Sequence, residues 1–312
     1  MDRVTVFGGS GFVGRYIVKR LAHEGAVVRV AVRRPEEALF LKTMGQVGQI
    51  APVHGDVRSD ASVQAAVQGA DAVINTVGFW DATRRSSFDD VHHLGAARVA
   101  GLSAKAGVRQ FVHLSGIGAS ESSPSKYVAA RARGDAAVMS AFGSAIVLQP
   151  SAIFGPEDRL LNLMGRIIRN SPVFPVIAGD TKLQPVYVGD VADAALAALN
   201  KSVSGAFQLG GPRVYSHREL IGLAMEYCEC ERRCIGMPMG LASLLAGMLA
   251  LLPGPTPLSK DTLALLQDDN VVAEGAPDLE TLGISPVAVE TIAPTYLDQY
   301  RPRGRYRRAR MA

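Results

Sequence analysis

The residues with the clearest chemical meaning stand near the start of the chain, in Val4-Thr5-Val6-Phe7-Gly8-Gly9-Ser10-Gly11-Phe12-Val13-Gly14. A β-branched run breaks into glycines at two overlapping spacings, Gly8-x-x-Gly11-x-x-Gly14 and Gly9-x-Gly11-x-x-Gly14, and a helix-compatible segment with Tyr16, Ile17 and Leu21 follows. Glycine there permits positive φ and lets backbone amides approach an anion that a β-carbon would hold off. The amides around Ser10, Phe12 and Val13, with the helix N-terminus behind them, then hold negative charge. A strand, glycines and a helix in this order fit the pyrophosphate of a dinucleotide, the Rossmann pattern.

Roughly twenty residues beyond the last glycine, a binder of NAD carries an acid for the ribose 2′-hydroxyl. This chain has Arg33-Arg34-Pro35 instead. Guanidinium groups pair with a 2′-phosphate through charge-assisted, often bidentate bonds, so the expected cofactor is NADPH. Glu36 and Glu37 lie close enough to neutralise one arginine, which is the plainer reading of that residue. Asp56 and Val57 follow the third strand, where a carboxylate can accept from the adenine amino group. Thr76, Val77 and Gly78 end the fourth strand beside the expected cofactor sugars. Open α/β sheets bind ligands at the carboxyl ends of their strands.

A fifth strand ends in Ser115-Gly116, and Tyr127-Val128-Ala129-Ala130-Arg131 lies on the next helix. The spacing resembles the Tyr-x-x-x-Lys motif of short-chain dehydrogenases, in which tyrosine is the acid/base, lysine lowers its pKa and bonds the nicotinamide ribose, and a serine orients the substrate. Here the lysine position is Arg131, which keeps the charge and holds its proton permanently. The family serine would fall on Ile117, leaving Ser115 as a strand-end residue against the cofactor. Tyr127 is thus either a working acid or a group that only bonds the nucleotide. Pro150 and Ile153, past the sixth strand, complete the expected cofactor set. His92 and His93 read as ordinary histidines, and Asp190 as an N-cap for the helix after it. Cys228, Cys230 and Cys234 fall within seven residues, but no second pair follows and a helix would spread them, so free thiols and no metal are expected.

These residues need a scaffold, and the pattern supplies one. Strands at Arg3–Phe7, Val27–Val32, Gln49–Val53, Ala72–Val77, Gln110–Leu114 and Ala145–Leu148 alternate with helical segments, which argues for a doubly wound parallel α/β sheet over residues 1–150. Residues 151–300 read as a smaller C-terminal α/β lobe, with strands at Gln184–Val188 and Ala206–Leu209 and the chain crossing back to the sheet. Residues 301–312 form a basic tail.

In 312 residues, 48% apolar and 20% charged, with a formal net charge of +4, there is ample material for a core. Six arginines between Arg301 and Arg310 carry the excess charge. With Tyr306 as the tail's one aromatic, stacking platforms for nucleic acid are missing and no such partner is expected. The uncharged stretch 237–252 is too short to span a bilayer and reads as a buried helix, or as one whose apolar face meets a partner or the membrane interface. No leader pattern precedes the first strand.

As a whole the sequence resembles the nucleotide-binding accessory subunit family of respiratory complex I, NADH:ubiquinone oxidoreductase, an atypical branch of the extended short-chain dehydrogenases. The likeness rests on Gly11-Phe12-Val13-Gly14-Arg15-Tyr16, Met44 to Gln49, Val73 to Gly78, Lys126-Tyr127, Pro150 to Arg159, Gln184 to Val188 and Leu282-Gly283-Ile284. The resemblance implies a tightly held NADPH in a peripheral subunit near the quinone module, with no established turnover. It implies a place on the cytoplasmic face of a bacterial inner membrane, or the matrix side in a mitochondrion. The 237–252 segment and the arginine tail would meet neighbouring subunits or an anionic membrane surface. The competing expectation is a free-standing NADPH-dependent reductase or epimerase acting on a quinone, sugar-nucleotide or isoprenoid-like substrate.

Overall fold

A computed structural model describes residues 2–79, 87–201, 203–249 and 260–302. Its contacts divide the chain into two units, the first comprising 1–150, 188–209 and 273–285, the second 151–187, 210–272 and 286–312.

The first unit is built on a seven-stranded parallel sheet. Six strands follow the expected rhythm: β1 (Arg3–Phe7), β2 (Val27–Val32), β3 (Ile50–His54), β4 (Ala72–Asn75), β5 (Gln110–Leu114) and β6 (Ile146–Pro150). The seventh is Gly205–Leu209, which pairs with β6, so that across the sheet the order runs from this strand through β6, β5, β4, β1 and β2 to β3. Sequence reading assigns Ala206–Leu209 to the smaller lobe; the structure corrects this. A short apolar run carries no information about which sheet it joins. Its neighbour beyond β6 is the segment 273–285, where the Gln208 amide donates to the Pro277 carbonyl at 2.8 Å and Gln208 Oε1 accepts from the Ala273 amide at 2.8 Å.

Strands buried on both faces read as continuous apolar runs. All four residues of β4 are buried, as are Val4, Val6 and Phe7 of β1. The helices α1 (Phe12–His23), α2 (Asp60–Val67), α3 (Leu94–Lys105) and α4 (Lys126–Ala141) lie between successive strands in sequence. Ile17, Val18 and Leu21 of α1 and Val99 and Ala100 of α3 are buried. One π turn, Asp89–His93, leads into α3. Gly134 lets α4 close on it, because a β-carbon there would overlap the His92 carbonyl. Strand order reverses between β4 and β1, the place where ligands bind in such sheets.

The second unit starts at Ser151. Its helix α5 (Leu160–Asn170) has Arg159 at its N-cap, and buried Asp158 just before it accepts from the amides of Leu161 at 2.7 Å, Asn162 at 3.2 Å and Gly155 at 3.1 Å, and from the Tyr296 hydroxyl at 2.5 Å. The Pro150-to-Arg159 motif is thus partly a helix entry. Gln184–Val188 is not one strand. Val186–Tyr187 pairs with Ile153–Phe154, and Val188 already begins helix α6 (Val188–Lys201), which belongs to the first unit. Asp190 consequently lies inside the first turn of α6, buried, and is not its N-cap.

Helix α7 (His217–Tyr227) opens with a complete capping box from Ser216 and Glu219. Cys228 and Cys230 after it are buried, Cys234 is exposed, and all are free thiols. Among the described residues no cluster of three metal-ligating side chains occurs.

The apolar segment forms α8 (Met239–Leu249), and 250–252 lie outside the described residues. It is not a buried helix. Ala242 and Ala246 face the core with Ile177 and Leu263, whereas Leu241, Leu244 and Met248 are 48%, 61% and 51% exposed. Two alanines four residues apart form a narrow stripe that packs closely, and the larger side chains on the other faces stay outside. No described helix is long and apolar enough to cross a membrane. Of the basic tail, Arg301 pairs with Glu229 at 3.2 Å, and 303–312 lie outside the described residues.

Candidate functional site

The glycine loop fits a dinucleotide pyrophosphate on its own geometry. Gly8 holds φ +74° and lies against Thr76, whose Oγ1 would be 3.0 Å from a β-carbon. A β-carbon on Gly9 would lie 2.8 Å from Val30 Cγ1, and one on Gly14 would overlap the Gly8 carbonyl oxygen. The loop closes on itself through the Gly11 amide to the Gly8 carbonyl at 2.9 Å. Gly11 brings no side-chain cap to α1, and no acid lies in the first turn. The first amides of a helix have no intrahelical acceptor, so those around Phe12 and Val13 would meet an anion there without competition from a capping side chain. Arg15 reaches back to the Ser10 and Gly11 carbonyls at 3.2 Å and fastens the loop from outside.

At the end of β2, Arg33 and Arg34 are both exposed, but differ in what they touch. Arg34 is paired with Glu37, three residues on. The Arg33 carbonyl faces His54 Nδ1 at 3.2 Å, and its guanidinium makes no ion pair among the described residues. Asp56 is held by Arg58, with 2.6 Å between Oδ2 and Nη2 and 3.0 Å between Oδ1 and Nε. That hydrogen-bonded pairing keeps the Asp56 carboxyl below its usual range. Val57 is buried. At the end of β4, Thr76 donates through amide and hydroxyl to the Phe7 carbonyl, at 3.0 and 2.8 Å, tying Thr76-Val77-Gly78 to the glycine loop.

The tyrosine–arginine pair lies along the same sheet edge, on α4. Arg131 Nη1 donates to the Tyr127 hydroxyl at 2.9 Å, and the guanidinium lies 5.2 Å from the ring centroid. Tyr127 is buried. Phe88 and His92 stand edge-on to its ring at 5.5 and 5.1 Å between centroids, and Phe79 stacks on both at 5.2 and 5.4 Å. Burial raises the phenol pKa above its ordinary value, and Arg131 only partly offsets that. Ser115 turns inward, donating to Asp135 Oδ2 at 2.7 Å. Ile117 stands where the orienting serine would be and offers only its backbone, the amide donating to the Pro150 carbonyl at 3.1 Å.

Gly8, Ser10, Gly11, Phe12, Val13, Arg33, Arg34, Asp56, Val57, Thr76, Val77, Gly78, Ser115 and Pro150 belong to the first unit, at or just past the carboxyl ends of its strands, and Tyr127 and Arg131 belong to it on α4. Ile153 belongs to the second. Sequence reading takes His92, a direct neighbour of the Tyr127 ring, as an ordinary histidine, and gives no role to His113 or Asp135. The visible signal for Asp135 was its place one helical turn beyond Arg131.

A parallel sheet whose reversal point is a glycine cradle marks a protein of the dinucleotide-binding Rossmann class. The model of the NAD dependent epimerase/dehydratase family matches residues 4–210. The fold is shared with UDP-glucose 4-epimerase of Thermus thermophilus in complex with NAD, with a TM-score of 0.63 and 20% identity over 95% of this chain and 98% of that one.

The chain is also 35% identical to mitochondrial NADH dehydrogenase (ubiquinone) 1 alpha subcomplex subunit 9 of Arabidopsis thaliana, over 96% of this chain and 78% of that protein. It is 32% identical to the mitochondrial NADH-ubiquinone oxidoreductase 40 kDa subunit of Neurospora crassa, over 97% and 80%. A ceramide reductase of Caulobacter vibrioides is 30% identical over 75% and 73%. The chain belongs to the NAD dependent epimerase/dehydratase family and, within it, to the branch of the complex I subunit 9 and 40 kDa proteins.

Proposed function

We propose that this chain is an accessory subunit of a respiratory NADH:ubiquinone oxidoreductase that holds NADPH tightly and does not turn it over. The observation that carries the reading is the state of the tyrosine: Tyr127 is buried under Phe88 and His92, its phenol is raised, and its hydroxyl is bonded to an arginine. An acid/base works best with a pKa near the working pH, and a permanently protonated guanidinium relays nothing. Gly8, Gly9 and Gly14 bring backbone amides to the pyrophosphate. Arg33, which makes no ion pair among the described residues, is the cation for a 2′-phosphate, and Arg131 serves the nicotinamide ribose. When bound, the nucleotide supplies reducing equivalents; here its larger contribution is binding energy, which stabilises the folded subunit by mass action.

In this reading the chain sits near the quinone module, on the cytoplasmic face in a bacterium or the matrix side in a mitochondrion. The outward side chains of α8 meet a neighbouring subunit or the anionic membrane surface, together with the arginines beyond 301.

A second reading, an NADPH-dependent reductase, is favoured by the likeness to a ceramide reductase and by the retained contact between Tyr127 and the cation one turn on. Purification without added nucleotide, identification of the released cofactor and an assay of NADPH oxidation with quinones, ceramide precursors and other carbonyl compounds separate the two. Retained NADPH without oxidation supports the subunit; substrate-dependent oxidation establishes the enzyme.

A further inference from the structure

Beneath the tyrosine–arginine pair lies a polar assembly buried between β4, β5, β6 and α4. Asn75 ends β4 opposite His113 in the parallel register. Its Oδ1 accepts from the Val77 amide at 3.2 Å, which fixes the amide orientation and turns Nδ2 toward His113 Nδ1 at 3.2 Å. An amide nitrogen only donates, so Nδ1 is the accepting nitrogen and the imidazole proton sits on Nε2. Burial holds the His113 pKa below its ordinary value against the pull of Asp135, which keeps the ring in this neutral form. Nε2 faces Asp135 Oδ1 at 3.6 Å.

Asp135 is itself buried. Its Oδ2 accepts from Ser115 Oγ at 2.7 Å and Gln149 Nε2 at 3.0 Å, whereas Oδ1 has no hydrogen-bond partner. A buried carboxylate is costly unless charge and hydrogen bonds compensate it. Arg131 lies one turn earlier on the same face of α4. Its guanidinium fills the space beside Gly116, the residue next to the Ser115 that Asp135 holds.

We propose that Asp135 is the positioning residue of the tyrosine–arginine pair: with His113, Ser115 and Gln149 it fixes the strand-end seat and supplies the counter-charge that together hold the Arg131 guanidinium on the Tyr127 hydroxyl. Asp135 makes no hydrogen bond to the tyrosine, although its charge adds to the raised phenol, and its positioning effect runs through Arg131. The same assembly reaches the cofactor edge at its other end, since Asn75 holds the Val77 amide. Where nucleotide binding enters, the inference rests on the reading that Arg131 serves the nicotinamide ribose.

The test follows the ¹⁵Nε order parameter of Arg131 by NMR in the full chain, wild type and Asp135→Asn, alongside NADPH affinity. Arg131 is expected to be rigid in the wild type and mobile in the variant. Affinity is expected to fall about tenfold in Asp135→Asn, and the variant is expected to add no further loss on an Arg131→Leu background. Equal rigidity of Arg131 in both proteins overturns the proposal, as does an undiminished Asp135→Asn effect on the Arg131→Leu background. If the wild type binds neither NADPH nor NADH, the functional reading fails while the rigidity comparison still decides this one. Should Asp135→Asn not fold, Ser115→Ala replaces it with the same expected loosening of Arg131. Imidazole ¹⁵N shifts of wild-type His113 add a further criterion: a proton on Nδ1, or a charged ring at neutral pH, overturns the assembly as described.

Discussion

The guanidinium of Arg131 occupies the space that a β-carbon on Gly116 would need, so the strand end and the helix residue are a matched pair. An alanine at 116 has to displace only the far end of a flexible side chain. Gly116→Ala is therefore expected to cost about 1 kcal/mol of stability, the low end of overpacking, while separating Arg131 from the Tyr127 hydroxyl. Thermal unfolding and NADPH titration check it. A wild-type affinity would show that the guanidinium gives the nucleotide nothing.

At Gly14 the obstruction is backbone, the carbonyl oxygen of Gly8 and the Cα of Gly9, and cannot swing aside. Gly14→Ala is expected to open the loop at a cost of about 1–3 kcal/mol and to abolish nucleotide retention on purification. The contrast is Gly101 within α3, where a β-carbon would meet nothing within 4 Å. Gly101→Ala should raise stability by about 0.5–1 kcal/mol and leave retention unchanged, because alanine is the better helix former. Urea unfolding of both variants measures the difference.

Arg33 and Arg34 separate by partner. Arg34 is committed to Glu37, whereas Arg33 makes no ion pair among the described residues. Arg33→Ala is expected to weaken NADPH by about 1.5–3 kcal/mol, the worth of a charged hydrogen bond, with little effect on NADH. Arg34→Ala should change either by much less. Competitive titration with both nucleotides decides, and equal losses for NADPH and NADH would remove Arg33 from any role in selecting a 2′-phosphate.

Burial first, then the Arg131 charge, push the His92 imidazole down to about 4. Its unfolded counterpart takes up a proton near pH 6.5, about the free-histidine value. Between these limits the unfolded chain binds more protons, so the His92 contribution is complete above pH 6.5 and is lost as pH falls toward 4, by about 3 kcal/mol in all. His113 and His217 are depressed by burial and act in the same direction. Urea unfolding between pH 7.5 and 4.5 should show a shallower decline in His92→Gln than in the wild type. Parallel declines would mean that His92 is not held neutral by the fold.

What the sequence made legible was local. The glycine loop, β1, β2 and the arginines after it occupy one continuous stretch, and glycine spacing, strand alternation and helix pattern each constrain the same few residues. The edge strand Gly205–Leu209 was legible as a strand but not as part of this sheet, since strand pairing is a long-range choice. His92 was invisible as a neighbour of Tyr127 because a π turn closed by Gly134 brings it there, and Asp135 showed only its spacing from Arg131, not the strand-end serine that it holds. Helix α8 misled because its apolar content is nearly uniform, and only packing shows that small alanines face the core.

The place of Gly205–Leu209 beside β6 also bears on how the chain is made. The ribosome delivers β6 before its outer neighbour, and at about 5–20 residues per second the gap lasts roughly three to twelve seconds. Throughout that interval the nascent sheet has a bare edge at β6, open to pairing with another chain. The segment 273–285, which covers the seventh strand in turn, emerges later still. A polypeptide released after residue 150 would carry the whole glycine loop and the tyrosine–arginine pair, and yet keep that edge permanently bare. Self-association of such a fragment, rather than loss of its nucleotide contacts, is the failure its topology invites.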